Sequence, residues 1–305
     1  MQIDRPDFPH PENFRSGFVA LFGAPNAGKS TLLNRILGEK ISITSPKPQT
    51  TRNRILAVRH SPSAQLVFFD TPGVHKATNL LNVRIVETAL ATVGDADVVL
   101  VVADVSRPDP ESEMLMVKKI RADKKPVVLA LNKIDLVNKT KLLELIDQWS
   151  QVHSFDDIVP VSATQGTQVD RLIALLEEKM PVGPPFFPED ALTDQPERFI
   201  AAEMIREKIF RLTGEEIPYS TAVTIDEFKA EKSGSLIRIH ASIHMERVSQ
   251  KGIIIGKGGR LLKTIGEKSR LDMERFFGAK IFLKLFVRVQ KNWRKDTRAL
   301  RKFGY

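Results

Sequence analysis

The eight residues Gly23-Ala24-Pro25-Asn26-Ala27-Gly28-Lys29-Ser30 lie between an apolar, strand-like run, Phe18 to Phe22, and a helix-like run beginning at Thr31. Glycines let such a chain curl so that successive backbone N–H groups point inward at an anion, and the following helix adds its positive end. The spacing predicts a phosphate-binding loop in which Lys29 reaches the β- and γ-phosphates and the Ser30 hydroxyl binds Mg²⁺. A glycine-rich turn with a stray lysine has the same letters. The neighbouring motifs separate the two readings.

The apolar run Leu66 to Phe69 ends in Asp70-Thr71-Pro72-Gly73. A carboxylate at a strand end can hold a Mg²⁺-bound water, and the Gly73 N–H can meet a γ-phosphate. Another apolar run, Pro126 to Leu131, terminates in Asn132-Lys133-Ile134-Asp135. A carboxylate at Asp135 accepts from both N1–H and the exocyclic amine of guanine, a donor pair adenine lacks, so a buried Asp135 would be left unpaired by ATP. Such mismatches cost several kcal/mol, roughly a 10⁴-fold discrimination. Finally Ile158 to Val161 leads into Ser162-Ala163, whose N–H groups can meet the guanine carbonyl oxygen. Each motif alone also reads as a turn or surface loop. Together they stand in one order, each at the C-terminal end of a buried strand, where open α/β sheets bind ligands.

The elements that must position these residues follow from periodicity. Strands near 18–22, 66–69, 98–103, 126–131 and 158–161 alternate with helix-compatible stretches such as 79–93 and 167–180. The alternation predicts an α/β domain with a mainly parallel sheet and helices on both faces. At 305 residues the chain accommodates two domains. The prolines of Pro181-Val182-Gly183-Pro184-Pro185-Phe186-Phe187-Pro188 break any continuing helix. They divide a nucleotide domain, 17–181, from a second domain, 196–305, by a linker, 182–195, whose two phenylalanines predict packing on a domain. Residues 1–16 read as a flexible lead-in.

Composition excludes several function classes. Without cysteine there are no disulfides, cysteine zinc sites or thiol catalysis, which suits a reducing cytoplasm. The longest apolar run, Val98 to Ala103, is too short to span a bilayer, and the N-terminus lacks a secretory pattern. The net charge of +9 is uneven: residues 251–305 hold 16 Lys or Arg against 4 Asp or Glu, so the preceding residues are slightly acidic. A basic C-terminal tract implies an anionic partner, nucleic acid or membrane, or simply a solvated face.

Beyond the linker a helix with apolar positions Phe199, Ile200, Met204, Ile205, Ile209 and Leu212 precedes two strands. The first spans about 219–228. The second alternates Ile237, Ile239, Ala241, Ile243 and Met245 against Arg238, His240, Ser242 and His244. A helix-turn-helix over 249–277, broken at Gly256-Lys257-Gly258-Gly259, leads to a last strand with alternating Ile281, Leu283, Leu285, Val287 and Val289 and a short basic helix. His240 and His244 lack a carboxylate at ligand spacing and read as exposed strand histidines. The order α-β-β-α-α-β with G-x-x-G between the central helices resembles the type II KH RNA-binding domain. There Gly256, Gly258 and Gly259 would let a nucleic-acid backbone approach, Lys257, Arg260 and Lys263 would add charge, and Ile253, Ile254 and Ile255 would floor the groove under unstacked bases.

A phosphate-loop GTPase followed by a KH domain resembles the bacterial Era-type GTPases. The resemblance rests on Gly23 to Ser30, Gln49-Thr50-Thr51-Arg52 in the first switch, Asp70 to Gly73, Asn132 to Asp135, Ser162-Ala163, Gly252 to Gly259, the final strand and Trp293. It implies GTP hydrolysis to GDP, binding of the single-stranded 3′ end of 16S rRNA during assembly of the 30S subunit, a monomer, and a cytoplasmic location with loose association to the inner membrane. It also implies that Thr51 completes the Mg²⁺ shell, with Thr50 the alternative. Val74 follows Gly73 where related enzymes carry a water-orienting glutamine, so slow hydrolysis is expected. Asn26 either coordinates an activating K⁺ or shapes the loop. A competing reading is a GTP-gated adaptor whose basic C-terminus binds anionic membrane or protein.

Overall fold

Runs such as Val98–Asp104, apolar at successive positions, are strands covered on both faces, and the structure buries them so. It is a computed structural model describing residues 10–74, 80–122, 125–214, 216–231 and 235–305. Those residues form two compact units.

The first unit runs β1 (Arg15–Gly23), α1 (Lys29–Leu37), β2 (Ile55–His60), β3 (Ala64–Asp70), α2 (Leu80–Asp95), β4 (Val98–Asp104), α3 (Pro110–Ala122), β5 (Val127–Asn132), α4 (Lys139–Val152), β6 (Asp157–Val161) and α5 (Val169–Glu178). Its sheet has the order β2-β3-β1-β4-β5-β6, with β2 antiparallel to β3 and the other neighbours parallel. Parallel strands share one C-terminal edge. Gly23, Asp70, Asp104, Asn132 and Val161 therefore end together, and this edge carries the motifs. The fold is the expected α/β class, with a mixed sheet because of β2. That strand has no alternation to announce it, and it is turned back onto β3 by the Ser61–Ala64 turn, whose Ser61 N–H donates to Ala64 O at 2.8 Å.

Two boundaries differ from expectation. Strand β1 begins at Arg15, inside the segment read as a lead-in, and Phe14 and Ser16 are already buried; residues 1–9 lie outside the described ones. The proline-rich stretch belongs to the first unit up to Asp194. Gln65 holds it, accepting from the N–H groups of Phe186 (2.7 Å) and Phe187 (3.1 Å) and donating to Phe187 O (2.8 Å). Phe186 lies 4.7 Å from Phe18, ring to ring.

The second unit contains α6 (Glu197–Leu212), β7 (Ala222–Ala230), β8 (Leu236–Met245), α7 (Val248–Ile255), α8 (Arg260–Phe277), β9 (Lys280–Val289) and α9 (Thr297–Lys302). Its sheet is β7-β8-β9, antiparallel then parallel. The alternating Ile237, Ile239, Ala241, Ile243 and Met245 of β8 point into a core shared with Ile205, Ile209, Ile254, Ile265 and Met273 of the helices. Gly278 ends α8 in the left-handed conformation, its N–H donating to Glu274 O. This α-β-β-α-α-β order is the expected smaller α+β domain.

The histidine expectation fails for one residue. His244 is buried, ring to ring 4.5 Å from Phe303 and 2.9 Å from the Thr224 hydroxyl, because the C-terminal helix covers that end of the sheet face. The second unit also takes in Ile43–Thr50, which no sequence pattern anticipated. There Thr44 N–H donates to the buried Glu207 carboxylate at 3.0 Å, Lys47 Nζ to Phe210 O at 2.7 Å, and Arg206 to Thr50 O.

Candidate nucleotide and nucleic-acid sites

The loop after β1 is shaped by what a side chain would strike. A Cβ on Gly23 would lie 2.4 Å from Val102 O, and one on Gly28, at φ 95°, 2.2 Å from Asn132 Nδ2. A Cβ on Gly73 would lie 2.6 Å from the Pro25 backbone. Asn26 sits in the left-handed region at φ 63°. The loop is thus wedged between β4, the Asn132 side chain and the segment after β3, and its Lys29 amine is turned in on Gly23 O and Ala24 O, both at 2.9 Å. Burial pulls the Lys29 amine down to about 8, against the opposing pull of Asp70.

Three oxygens meet at the first turn of α1. Ser30 Oγ lies 2.7 Å from Asp70 Oδ2 and 2.9 Å from Thr51 Oγ1. Asp70 is fully buried, its carboxyl raised by that burial against the hydrogen bond from Ser30 and the charge of Lys29. Its Oδ1 is buried and, among the described residues, has no hydrogen-bond partner. Hard oxygens with one orphaned carboxylate atom suit Mg²⁺, directly or through water. Val74, by contrast, is 1% exposed in the core and its N–H donates to Gly23 O, so its side chain faces away from any reacting water.

The end of β5 ties the base-reading segments together. Asn132 donates to Ala27 O at 2.8 Å and accepts from Ala163 N–H at 3.0 Å, and Ser162 Oγ donates to Asp135 Oδ1 at 2.5 Å. Arg35 of α1 donates to Ala163 O at 3.1 Å. Asp135 itself is exposed, so the burial that the expected discrimination requires would come with a bound base. Lys133, at φ 68°, is ion-paired with Asp104 at the end of β4. Burial would raise the Asp104 carboxyl, but hydrogen bonds from Lys133 and Ser106 bring it below the usual value. Asp104 was missed by the sequence reading, and its only signal was a carboxylate at a strand end.

In the second unit, α7 stops at Gly256 (φ 71°) and α8 starts after Gly259 (φ 77°), with Gly258 at φ 60° between them. A Cβ on Gly256 would press on Leu261 Cβ at 2.9 Å, whereas Gly258 and Gly259 face open space. Lys257, Arg260 and Lys263 are exposed around this turn. The isoleucine floor is not found: three consecutive helical residues cannot share one face. Ile254 is wholly buried in the core, Ile253 is half exposed, and Ile255 is partly buried. A groove of about 440 Å³ lies instead between α8 and the edge strand β9, lined by Gly259, Leu262, Gly266, Arg270, Leu283 and Leu285 among others.

A phosphate loop, a guanine-reading strand end and a helix-turn-helix groove on a three-stranded sheet define a GTPase joined to a KH domain. Family models agree, a 50S ribosome-binding GTPase matching residues 18–133 and a KH domain matching 216–294. The chain is 51% identical to the GTPase Era of Geobacter metallireducens, over 96% of this chain and 98% of that protein, and 47% identical to that of Lacticaseibacillus paracasei, over 95% and 96%. It superposes with a TM-score of 0.92, at 41% identity and over 96% of this chain and 99% of the other, on a crystal structure of Era in complex with MgGDPNP and nucleotides 1506–1542 of 16S ribosomal RNA. The same score, identity and coverage hold for an Aquifex aeolicus Era variant bound to GDP·AlF4⁻. The chain belongs to the Era GTPase family.

Proposed function

We propose that the protein is a GTP-hydrolysing switch that grips the 3′ end of 16S rRNA and acts in assembly of the 30S subunit. The observation that carries this reading is the convergence of Ser30, Thr51 and Asp70 beside the phosphate loop in a chain that also holds the α8–β9 groove. The division of labour follows the two units: the first, which includes the proline-rich stretch up to Asp194, binds and hydrolyses GTP, and the second, from Gln195 to Tyr305, binds RNA.

The nucleotide site consists of Gly23 to Thr31, Asp70 to Gly73, Asn132, Lys133, Asp135, Ser162 and Ala163. Lys29 exchanges its two carbonyl partners for β- and γ-phosphate oxygens, and the Gly73 N–H donates to the γ-phosphate. Ser30, Thr51 and, through water, Asp70 hold Mg²⁺, which when bound neutralises charge developing on the phosphates. With Val74 turned into the core, no side chain at that position orients water, so turnover is slow. Asn26 would supply its side-chain carbonyl oxygen to an activating K⁺. Turnover in K⁺ then exceeds turnover in Na⁺ and the difference vanishes in Asn26→Ala; equal rates remove Asn26 from the catalytic set. Gly256 to Arg260, Lys263, Ile255 and the groove residues Leu262, Leu283 and Leu285 bind RNA, and Ile254 supports the turn from beneath. The basic α9 gives weak, peripheral attraction to the inner membrane surface.

The test of the whole reading is binding of a short single-stranded RNA matching the small-subunit 3′ end, with GDP or a non-hydrolysable GTP analogue, at two salt concentrations. Tighter, sequence-selective binding in the GTP-like state is expected. Binding indifferent to sequence and nucleotide and lost in salt reduces the interaction to charge and favours the adaptor reading.

A further inference from the structure

Helices α3 and α4 present similar faces to one cleft. Met114, Val117 and Arg121 of α3 and Leu145, Trp149 and Val152 of α4 line it. The steps of three or four residues put each set on one side of its helix. The cleft holds about 580 Å³, the size of a small-molecule site. Val117, Leu145 and Trp149 are each 8% exposed or less, whereas Met114 is 73% exposed. Helices packed ridge into groove would close such a space. Here it stays open with apolar side chains on both walls.

The charged groups of the lining are of two kinds. Its carboxylates are engaged within the protein: Glu113 Oε1 accepts from the Asp109 N–H at 3.2 Å, and Asp104 is paired with Lys133 and accepts from the Ser106 N–H at 2.9 Å. Its cations are not. Among the described residues Lys118 and Arg121 have no carboxylate partner, Arg121 donating to the Val152 carbonyl instead. Both stand toward the C-terminal end of α3, while Glu113 lies in its first turn. An apolar slot with free cations at one end fits a molecule with an apolar body and an anionic head. The lining is small beside the about 800 Å² that each partner gives to a stable protein interface, so the occupant is a small molecule and not a polypeptide.

Asp104 belongs to two places. It lines the cleft, and its Oδ2 anchors Lys133 of the nucleotide site. A molecule that fills the cleft displaces water from beside this carboxylate, and an ion pair less screened by water is stronger. Lys133 is then held more firmly and nucleotide leaves more slowly.

We propose that the cleft between α3 and α4 binds a small amphipathic anion, its apolar body on Val117, Leu145 and Trp149 and its carboxylate head on Lys118 and Arg121, and that the bound molecule slows nucleotide release through Asp104. The second half rests on the nucleotide-site reading above, and the first stands without it.

The experiment uses the full chain, with decanoate as ligand and 8-anilinonaphthalene-1-sulfonate as the fluorescent probe it displaces, first without nucleotide. Decanoate displaces the probe, and decanol and decylamine bind about ten-fold less tightly for want of the anionic head. Lys118→Glu, which alters only an exposed charge, weakens decanoate by about ten-fold and leaves decanol unchanged. Gln148→Trp, at an exposed position of the α4 lining, fills the cleft with a ring and abolishes displacement. Melting temperatures near wild type report that both variants are folded. Saturating decanoate slows release of a fluorescent GDP by about five-fold in the wild type and not in Asp104→Asn. Decanol or decylamine binding as tightly as decanoate overturns the proposal, as does bound decanoate that leaves GDP release unchanged. So does sedimentation in which the wild type self-associates and Gln148→Trp does not, which gives the cleft to a second copy. Failure of the chain to bind GDP at all counts against the nucleotide-site reading, a separate outcome, because decanoate binding is read without nucleotide.

Discussion

The two glycine-rich turns of this molecule look alike as sequence and are opposite as structures. Around the nucleotide loop the space a side chain would need is filled by protein: Val102 O, Asn132 Nδ2 and the Pro25 backbone stand within 2.2–2.6 Å of the missing Cβ atoms of Gly23, Gly28 and Gly73. At the KH turn Gly258 and Gly259 have nothing within 4 Å. Their conformation demands glycine, but the space beside them is left for something else. The first loop is preorganised by the protein's own packing and the second is completed by its partner.

That contrast is broken most severely at Gly23 and Gly28. Gly23→Ala forces a methyl into the β4 backbone, which cannot yield, and Gly28→Ala combines a collision with a left-handed φ. Overpacking of this kind costs about 3 kcal/mol, so nucleotide affinity falls by at least about a hundred-fold and the melting temperature drops with it, as titration with a fluorescent GDP and thermal unfolding will show. The matching change at the open turn, Gly258→Asp, meets no obstacle but carries the strain of a left-handed φ, about 1 kcal/mol, so it lowers the melting temperature less than Gly23→Ala does and leaves nucleotide affinity near wild type. It weakens RNA binding by about a hundred-fold through repulsion of the approaching phosphates. A melting temperature that falls as far for Gly258→Asp as for Gly23→Ala removes the distinction between the two loops.

The legibility of the two sites in sequence follows the same divide. Nucleotide chemistry fixes residue type and spacing together, so Gly23 to Ser30, Asp70 to Gly73 and Asn132 to Asp135 were readable as a set, and strand ends brought them to one edge. Asp104 was not, because a lone carboxylate after an apolar run has no spacing partner until Lys133 folds over it. The groove floor failed for a geometric reason: a run of isoleucines says that a helix is apolar, and only its docking onto β8 decides that Ile254 faces the core. The capture of Ile43–Thr50 by Arg206, Glu207 and the Phe210 carbonyl has no local signal at all.

A pH experiment separates the units by a different property. Burial holds the His244 imidazole at about 4, helped by Lys302 of α9 and Arg288 of β9 and opposed by Asp226 of β7. A lowered value means that the unfolded chain takes up the proton first. Stability is whole above about pH 6.5 and is lost as pH falls toward 4, about 2 kcal/mol between pH 7 and pH 5. In His244→Gln, whose amide can still meet the Thr224 hydroxyl, unfolding of the second unit loses this slope. An unchanged slope assigns the acid sensitivity to other groups.

The smallest effect sharpens the nucleotide side. Asp104 holds the Lys133 ammonium where the strand end turns, and Lys133 is fixed in a left-handed conformation that leaves its long stem few other positions. Asp104→Asn keeps the hydrogen-bonding shape, including an acceptor for the Ser106 N–H now at 2.9 Å, but removes the charge that anchors the ammonium. A partly buried ion pair contributes about 1 kcal/mol, so GDP affinity falls by about five-fold, mainly through faster release, because Lys133, placed in the proposed nucleotide site, loses its anchor. RNA affinity in the nucleotide-free protein does not change, since the RNA surfaces belong to the other unit. Preference for GTP over ATP also persists, because the proposed guanine contacts are those of Asp135 and the Ser162–Ala163 backbone. A collapse of that preference in Asp104→Asn moves base discrimination from the carboxylate of Asp135 to the placement of Lys133, and the loop that looked preorganised by packing then depends on one charge pair as well.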